Sequence, residues 1–353
     1  MENTLEQRNN KQVATWLLIG VGMIVIQVLI GGITRLTESG LSITEWEPFK
    51  GTLPPLNDAA WQLQFEKYRS TDQFKYVHPH FSMSDFKFIF FWEWFHRVWA
   101  RLLGVVFLIG FVYFIAKKKF SRQMITPMIV LFLLGAMQGL VGWLMVKSGL
   151  VPEKYYVGHV ELTTHLMAAI ILLAYTAWFA FSLLPSMAVK VEQRGISNYL
   201  YFILILLFFQ LVYGGFMAGL KAAASAPTWP SINGSFMPSA MNDLLPWAQN
   251  LVNNPIMVHF IHRGLGYFIF IMAVIYFVQS KKIIHHPLFK KLNSGLMLLF
   301  LIQVLLGIFT VLYATNKTAL VWLGVSHQFV AMLLVLCMTA LLFLVKKPAM
   351  PSV

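Results

Sequence analysis

The sequence predicts an all-α integral membrane protein with eight transmembrane helices arranged as two pseudo-symmetric four-helix bundles. Three observations predict this fold: little charge, apolar runs long enough to cross a bilayer, and landmarks that recur in the two halves. Of the 353 residues, 58% are hydrophobic and only 12% are charged. An average soluble domain has about 25% charged residues, so a soluble protein of this size would lack the polar residues to cover its surface.

Eight apolar runs account for the predicted spans. At a rise of about 1.5 Å per residue, roughly 20 apolar residues cross a hydrocarbon core of about 30 Å. The runs lie at residues 14–33, 88–116, 124–146, 160–184, 198–220, 256–280, 294–314 and 320–345. Such a series is typical of a polytopic helical protein.

The net charge of +13 reflects the orientation of the chain in the membrane. Fourteen of the 27 Lys and Arg residues lie in loops on one side. By the positive-inside rule these loops are cytoplasmic, which places both termini inside the cell. The placement favours contact with anionic lipid and argues against a nucleic-acid partner. The residues are Arg8, Lys11, Lys117, Lys118, Lys119, Arg122, Lys190, Arg194, Lys281, Lys282, Lys290, Lys291, Lys346 and Lys347.

Two further features limit the class of protein. Residues 1–11 have neither a cleavage site nor an Arg/Ser-rich presequence, which favours a bacterial inner-membrane protein over an organellar precursor. Cys337 is the only cysteine. An intramolecular disulfide and thiolate metal chemistry are therefore excluded.

Landmarks in the first four runs recur in the same order in the last four. They are Gln27 with Gly31 and Gln210 with Gly214, His96-Arg97 and His262-Arg263, Gln138 with Gly142 and Gln303 with Gly307, and His165 and His327. An even number of spans per half predicts that both halves share one orientation, related by an axis along the membrane normal. The chain is divided accordingly into an N-terminal half, 1–189, and a C-terminal half, 190–353.

The four repeated histidines are predicted to lie at one depth. Each is about six to eight residues inside its apolar run from the outer side, or roughly 10 Å below the outer surface. A single intramembrane histidine is more often hydrogen-bonded to a neighbouring helix, but two pairs at one depth indicate function. A zinc or copper site would need further ligands, and none accompanies each pair in register. Two imidazoles facing each other across a four-helix bundle suit the axial positions of a heme iron.

Six glycines on the same runs allow a close approach, either of a flat macrocycle or simply of a neighbouring helix, and both interpretations stay open. They are Gly31, Gly32, Gly142, Gly214, Gly215 and Gly307.

His259 is a competing ligand, because it lies three residues before His262 and on the same helical face. The repeat favours His262, since His259 aligns with Glu93 and not with His96. His159 lies near a span entrance. The other histidines are in predicted loops and are expected to be solvated; they are His78, His80, His285 and His286.

Glu93 lies three residues before His96 and has no acidic counterpart in the second half. Its carboxylate is either a structural partner of Arg97 or Arg101, or a group beside a porphyrin edge that transfers a proton or stabilises positive charge. The asymmetry suggests that the two histidine pairs serve different purposes. Arg35, at the outer end of the first span, suits either a heme propionate or a helix cap.

Two long outer segments are predicted to fold over the bundles. The first, residues 35–84, is rich in acidic residues and contains Trp46, Trp61 and Pro54-Pro55. The second, residues 222–247, contains Pro227, Trp229 and Pro230. Aromatic residues and prolines in these positions indicate ordered caps, one for each half.

These motifs resemble the heme A synthase family over all eight predicted spans. Residues 31–42, which read GGITRLTESGLS and run on to Glu45-Trp46 and Pro48, resemble the opening signature of the family. Phe86-Lys87 followed by residues 93–97, EWFHR, resembles its second signature. Shorter matches are Gln138-Gly139, Gly142-Trp143, Gly215 with Ala218-Gly219, residues 260–263 and His327-Gln328.

The resemblance implies an enzyme that converts heme O to heme A, turning the C8 methyl into a formyl by two successive hydroxylations and loss of water. It implies the following site residues: His262 and His327 for a permanent heme b, His96 and His165 for the substrate heme, Glu93 as the catalytic group, and Arg35, Arg97 and Arg263 for propionates or site support. The farnesyltransferase that makes heme O and an electron donor are the candidate protein partners.

Two departures from the family pattern accompany the resemblance. Some members have cysteine pairs in the two large outer loops; this chain has none and resembles the cysteine-free branch. The family more usually has Gln at the position of His259.

Two other classes fit part of the sequence. A diheme b-type electron-transfer cytochrome would use the four histidines but would leave the one-sided Glu93 and the opening signature unexplained. A transporter with parallel repeats suits the topology and leaves the histidines without a role. Chromatography of the bound hemes distinguishes the cytochrome, which would contain heme b alone in both sites.

Overall fold

The computed structural model describes residues 2–45, 51–187, 194–283 and 286–345. Within these ranges the fold is all-α, apart from one isolated bridge between Ile232 and Ser235. Among the described residues, eight helices are long and apolar enough to cross a membrane. They are α1 (Glu2–Leu36), α2 (Met83–Ala116), α3 (Ile125–Gly149), α4 (His159–Ser182), α5 (Arg194–Gly219), α6 (Pro255–Ile283), α7 (Pro287–Leu312) and α8 (Lys317–Val345).

Each predicted apolar run corresponds to one of these helices, so the eight-span prediction is confirmed. The ends differ most at α1, which begins at Glu2 although the apolar run begins at residue 14. Glu, Gln, Leu and Lys favour the helical conformation, and the helix therefore continues past the hydrocarbon region. Apolar composition marks the bilayer-crossing part of a helix and not the ends of the helix.

Four helices, α1, α4, α5 and α8, form the centre of the molecule. α1 packs on α2 and α4, and α3 packs on α4; in the second half α5 packs on α6 and α8, and α7 packs on α8. The halves meet where α4 contacts α5 and α8, and where α1 contacts α8. Side chains at this centre, among them Leu173, Leu200, Met332 and Leu341, are fully buried. Close packing, which takes the place of the hydrophobic effect between helices in a bilayer, holds the halves together.

The same helix pairs recur in the two halves, which supports the pseudo-symmetry predicted from the repeat. There is one exception. α6 and α7 pack on each other, whereas α2 and α3, both described in full, make almost no contact. The predicted boundary at 189/190 lies outside the described residues, as do Trp46, Pro48, Lys190, His285, Lys346 and Lys347.

The two halves are joined at the level of the histidines by Gln328, which follows His327 in α8. Its side-chain Nε2 donates a hydrogen bond to the backbone oxygen of Val28 in α1, at 2.9 Å. A Cβ at Gly32 would clash with the Gln328 amide oxygen. Glycine at this position therefore allows α8 to lie against α1.

Residues 51–84 of the first outer segment are folded. They contain two short helices, Asp58–Arg69 and Asp72–Tyr76, whose first turns each donate a backbone N–H to the side chain of the N-cap residue, Asn57 or Thr71. A capping box between Ser82 and Asp85 then begins α2. The segment packs on α2 through a hydrophobic cluster whose buried side chains are Phe65, Tyr68, Phe86, Ile89 and Phe90.

The expectation that His78 is solvated is wrong. Its side chain is buried; Nδ1 lies 2.7 Å from the Tyr68 hydroxyl and Nε2 lies 3.1 Å from a Glu38 carboxylate oxygen. The loop position of His78 was visible in the sequence, but the fold of the segment that covers it was not. His80 is exposed, as expected, and His286 is partly buried as the N-cap of α7.

Candidate functional site

His262 of α6 and His327 of α8 face each other in the second half. Their ring centroids are 6.5 Å apart and the ring planes make an angle of 72°. Two imidazoles that bind one metal ion from opposite sides, with bonds of roughly 2 Å, have ring centres about 6 Å apart. The pair therefore has the spacing of two axial ligands of one iron.

Glycines on the neighbouring helices make room for both rings. A Cβ at Gly307 of α7 would lie 3.1 Å from Cε1 of His327, and one at Gly214 of α5 would lie 3.4 Å from Cε1 of His262. Both distances are tight or close to van der Waals contact. Gly214 and Gly307, two of the glycines that the repeat singled out, thus lie directly against the two histidine rings.

Glutamines orient the same two rings. Nε2 of Gln210 lies 3.3 Å from Nε2 of His262, and Nε2 of Gln303 lies 3.2 Å from Nε2 of His327. An amide NH₂ group only donates, so in this arrangement Nε2 of each ring accepts the hydrogen bond, and a metal ion bound at Nε2 would take the place of the glutamine there.

Several polar atoms of this pair are buried without a hydrogen-bond partner in the described part of the chain. They are Nδ1 of His262 and of His327, and Oε1 of Gln210 and of Gln303. A buried unpaired donor or acceptor costs about 1–3 kcal/mol. Such a cluster is retained where it serves a bound group, and the donor set of two imidazoles fits heme iron.

The first half brings His96 of α2 and His165 of α4 to the corresponding places. A Cβ at Gly31 of α1 would lie 3.2 Å from Nε2 of His96, and one at Gly142 of α3 would lie 2.8 Å from Cε1 of His165. All four glycine–histidine contacts are therefore in register between the halves.

The two glutamines of the first half contact different parts of their histidines. Nε2 of Gln138 lies 3.3 Å from Nδ1 of His165 and also contacts the backbone oxygen of that residue. Nε2 of Gln27 donates to the backbone oxygen of His96, at 3.2 Å, and not to its ring. Both Oε1 atoms are buried and unpartnered among the described residues. The repeat identified these glutamines as landmarks, but it gave no indication that they contact the histidines.

Glu93 is buried in a network with the outer segment. Its Oε1 accepts from Arg97 at 2.6 Å, and its Oε2 accepts from the Ser42 hydroxyl at 2.7 Å and from the backbone N–H of Ile43 at 2.8 Å. Arg97 also donates to the backbone oxygens of Ile43 and Glu45. The carboxylate thus fastens the opening signature to α2, immediately above His96. A pairing with Arg97 was one of the alternatives that the sequence left open, beside Arg101 and a role at a porphyrin edge, and the sequence gave no signal for Ser42 or Ile43.

The second half has a matching arrangement around Arg263. His259, at the position of Glu93, places Nε2 2.9 Å from the Arg263 guanidinium. Arg263 donates in turn to the backbone oxygens of Thr228, Pro230 and Ser231. In both halves an arginine one residue after the pocket histidine therefore holds the outer segment. His259 contacts this arginine, while His262 faces His327.

Arg35 connects the two halves at the outer surface. Its Nη2 donates to the backbone oxygens of Ala218 and Gly219, at 2.7 and 3.0 Å, where α5 ends. A cation is favourable at the C-terminus of a helix, where carbonyls lack intrahelical partners. The Nε atom of Arg35 is buried and has no partner in the described residues. The contacts place Arg35 in the role of a cap.

Glu38 lies two residues beyond the end of α1 and joins three segments. Its carboxylate contacts His78 of the outer segment, the Tyr156 hydroxyl of the α3–α4 loop, and Lys221 after α5. The hydrogen bond from His78, followed by that from Lys221, lowers the pKa of Glu38 from its ordinary 4.5 to about 2. Sequence analysis missed this site, because its partners are distant in sequence.

The depressed pKa of Glu38 predicts acid lability. A carboxylate with a lowered folded-state pKa contributes stability above its ordinary value of 4.5 and loses it as the pH falls towards 2. We expect the thermal midpoint of the wild-type protein to fall more steeply between about pH 5 and pH 3 than that of Glu38→Gln. Unfolding scans in detergent measure this. Glu66→Gln, which removes an exposed pair with Arg69, should keep the wild-type slope; the same slope in Glu38→Gln contradicts the prediction.

Comparison with known proteins gives a consistent result. The family model described as "Cytochrome oxidase assembly protein" matches residues 14–339. A Heme A synthase of Flavobacterium psychrophilum is 40% identical over 336 residues, which cover 93% of this chain and 96% of the relative. Those of Flavobacterium johnsoniae and Novosphingobium aromaticivorans are also 40% identical, over 94% and 92% of this chain and 97% and 93% of each relative. No solved structure matches the chain.

Proposed function

The chain belongs to the cytochrome oxidase assembly protein family, and from this membership we propose that it is a heme A synthase, a membrane oxidoreductase that converts heme O to heme A. The observation that carries the proposal is identity of about 40% over nearly the whole length to several relatives of that name. The two histidine pairs with their matching glycines support it, because the reaction needs a place for a substrate heme and a place for a resident one.

The second half holds the resident heme b. His262 and His327 would hold its iron, as their spacing of 6.5 Å between ring centroids supports. Heme b, when bound, supplies an iron that accepts and passes on single electrons. Gln210 and Gln303 lie against the rings, and each amide would yield its place at the ring Nε2 to the iron when the group is bound.

The first half holds the substrate heme O between His96 and His165. The C8 methyl would be oxidised in two successive hydroxylations, each passing two electrons from the carbon to an external oxidant while a hydroxyl group replaces a hydrogen, and the resulting gem-diol would lose water to give the formyl. Glu93 is the catalytic group, which would accept a proton or stabilise positive charge at the porphyrin edge; its burial and its position three residues before His96 support this. Arg97 holds Glu93 in position, as its 2.6 Å contact supports.

The orientation follows from the charged loops. Both termini lie in the cytoplasm of a bacterial cell, and the heme sites lie towards the outer face of the inner membrane. Arg35 and Arg263 support the outer side of the sites through their contacts with backbone oxygens. The protein partners are the heme O-producing farnesyltransferase, which hands over its product within the bilayer, and an electron donor. Co-purification with the farnesyltransferase tests the handover.

The function is tested by producing the chain in cells that make heme O but have no heme A synthase. We expect heme A in the extracted membranes and heme b bound to the purified protein. The matched control is the same cells without the chain, which should contain heme O and no heme A. Heme b alone in the purified protein, with no heme A in the membranes, would instead establish the diheme electron-transfer cytochrome.

A further inference from the structure

The two halves differ in whether their outer helices close the bundle. α6 and α7 of the second half pack on each other, whereas α2 and α3 of the first half make almost no contact. A helical bundle in a bilayer gains its stability from close van der Waals packing, so helices separate where another apolar group fills the space. The separation occurs only in the half assigned to the substrate.

One pair of matched positions accounts for the difference. Gly135 lies three residues before Gln138 on α3, and Phe300 lies three residues before Gln303 on α7. Phe300 is only 3% exposed and lines a small cleft together with Ala273 of α6. Gly135 is exposed, and a Cβ there would meet no atom within 4 Å in the described residues. In the second half, an aromatic ring thus fills the space between the outer helices that is open in the first half.

A second pair repeats the pattern on the facing helices. Gly104 lies eight residues after His96 on α2, and Phe270 lies eight residues after His262 on α6. Phe270 is partly buried against the main core. Gly104 is exposed, and again no described atom lies within 4 Å of the position of a Cβ. Both helices of the first half therefore have a glycine where the second half has a phenylalanine.

The opening is apolar and is continuous with the histidine pair. The sequence has no charged residue between Arg101 and Lys117 on α2, or between Arg122 and Lys147 on α3. Gly135 is about one turn from Gln138, whose amide contacts His165, and it lies deeper in the membrane than the histidines. A group that leaves the substrate pocket through this opening enters hydrocarbon directly.

We propose that the gap between α2 and α3 is the groove for the apolar isoprenoid tail of the substrate heme, which enters it sideways from the bilayer. This rests on the proposed function, in which the first pair binds a farnesylated heme and the second binds heme b. Heme b has no such tail, and the half that holds it is closed by Phe300. The tail needs no hydrogen-bonding partner, so glycine and aliphatic side chains suffice to line the groove.

The test fills the groove with the residue of the closed half. Gly135→Phe is purified with its resident heme b and incubated with either heme O or added heme b, and the hemes retained per chain are measured by chromatography. We expect heme O retention to fall at least about tenfold, the loss when about two buried methylene groups lose their contacts. Retention of added heme b, which has no tail, and the resident heme spectrum should match the wild type.

Two further variants keep the outcome decisive. Leu133→Phe adds a larger ring on the opposite, exposed face of α3 and should behave as the wild type. Gly104→Phe should reproduce the loss if the Gly135 variant folds poorly. Wild-type retention of heme O in both glycine variants would overturn the groove, and so would an equal loss of heme O and of added heme b.

These outcomes are separate from failure of the proposed function. If the wild-type chain forms no heme A, the function fails. The groove is then still decided by heme O retention in the wild type. Retention no better than that of added heme b overturns it, whereas a preference for heme O that Gly135→Phe abolishes upholds it.

Discussion

Glu93→Gln is expected to lower heme A formation by about 10²–10⁴-fold, the usual contribution of a general acid–base group, while the resident heme b spectrum is unchanged. The substitution keeps the volume of the side chain but removes its negative charge and its titratable proton. The substrate should then accumulate as heme O or as its singly hydroxylated form. Chromatography of hemes from membranes that contain the variant measures both.

The contacts of Glu93 define what a purely structural role would look like. Its oxygens accept from Arg97, Ser42 and the backbone of Ile43, so a glutamine loses the charge-assisted bond to Arg97 but can still accept from the other two. Losing a hydrogen bond to a charged group costs about 1.5–3 kcal/mol. If fastening the outer segment is the only role of Glu93, the variant should melt at a lower temperature and form heme A at a near-normal level.

Two variants separate these roles. Glu93→Asp keeps the charge and should restore part of the activity that Glu93→Gln loses, since a proton can still be exchanged. His259→Gln alters the corresponding partner of Arg263 in the second half and should leave heme A formation near normal. Near-normal heme A in Glu93→Gln would show that the carboxylate is structural and that the catalytic group lies elsewhere.

The membrane-spanning part of the fold could be predicted from the sequence because the bilayer restricts what the chain can do. A lipid-exposed backbone must satisfy its own hydrogen bonds, so an apolar run of sufficient length becomes a helix. The repeat then predicted which helices present histidines, and the structure places a glycine against each ring, as at Gly307 and His327. Composition, run length and repeat can all be read from the sequence without knowing which segments meet in space.

The outer surface could not be predicted in the same way. The burial of His78 and the convergence of Tyr156 and Lys221 on Glu38 depend on contacts between segments up to 183 residues apart. Such contacts are set by how the outer segments fold on the helix ends, and no periodic pattern in the sequence reports them.

The gap between α2 and α3 in the first half could be predicted only in part. The substitution of Gly135 for Phe300 is visible once the halves are aligned on their glutamines. The structural consequence of this substitution cannot be read from the sequence, since a glycine in a transmembrane helix more often permits a close helix contact than a gap. In the structure no described atom lies within 4 Å of a Cβ at this glycine, and α2 and α3 make almost no contact.

His262→Leu is expected to weaken heme b binding by at least about 100-fold, because even residues that only support a metal ligand contribute 10–100-fold to metal affinity. Leucine is apolar and of similar size, and Gly214 leaves it room, so the helix packing should be retained. The variant should be purified without the low-spin spectrum of a heme with two axial histidines. His327→Leu should behave alike, because the two rings face each other at 6.5 Å.

The matched control is His259→Leu, which removes a histidine one turn away on the same helix. Its Nε2 contacts Arg263, so the variant should lose a fastening of the outer segment and some thermal stability but retain the heme b spectrum. Absorbance of reduced and oxidised protein, together with heme content per chain, gives the comparison. An unchanged spectrum in His262→Leu, with a lost spectrum in His259→Leu, would move the axial ligand to His259.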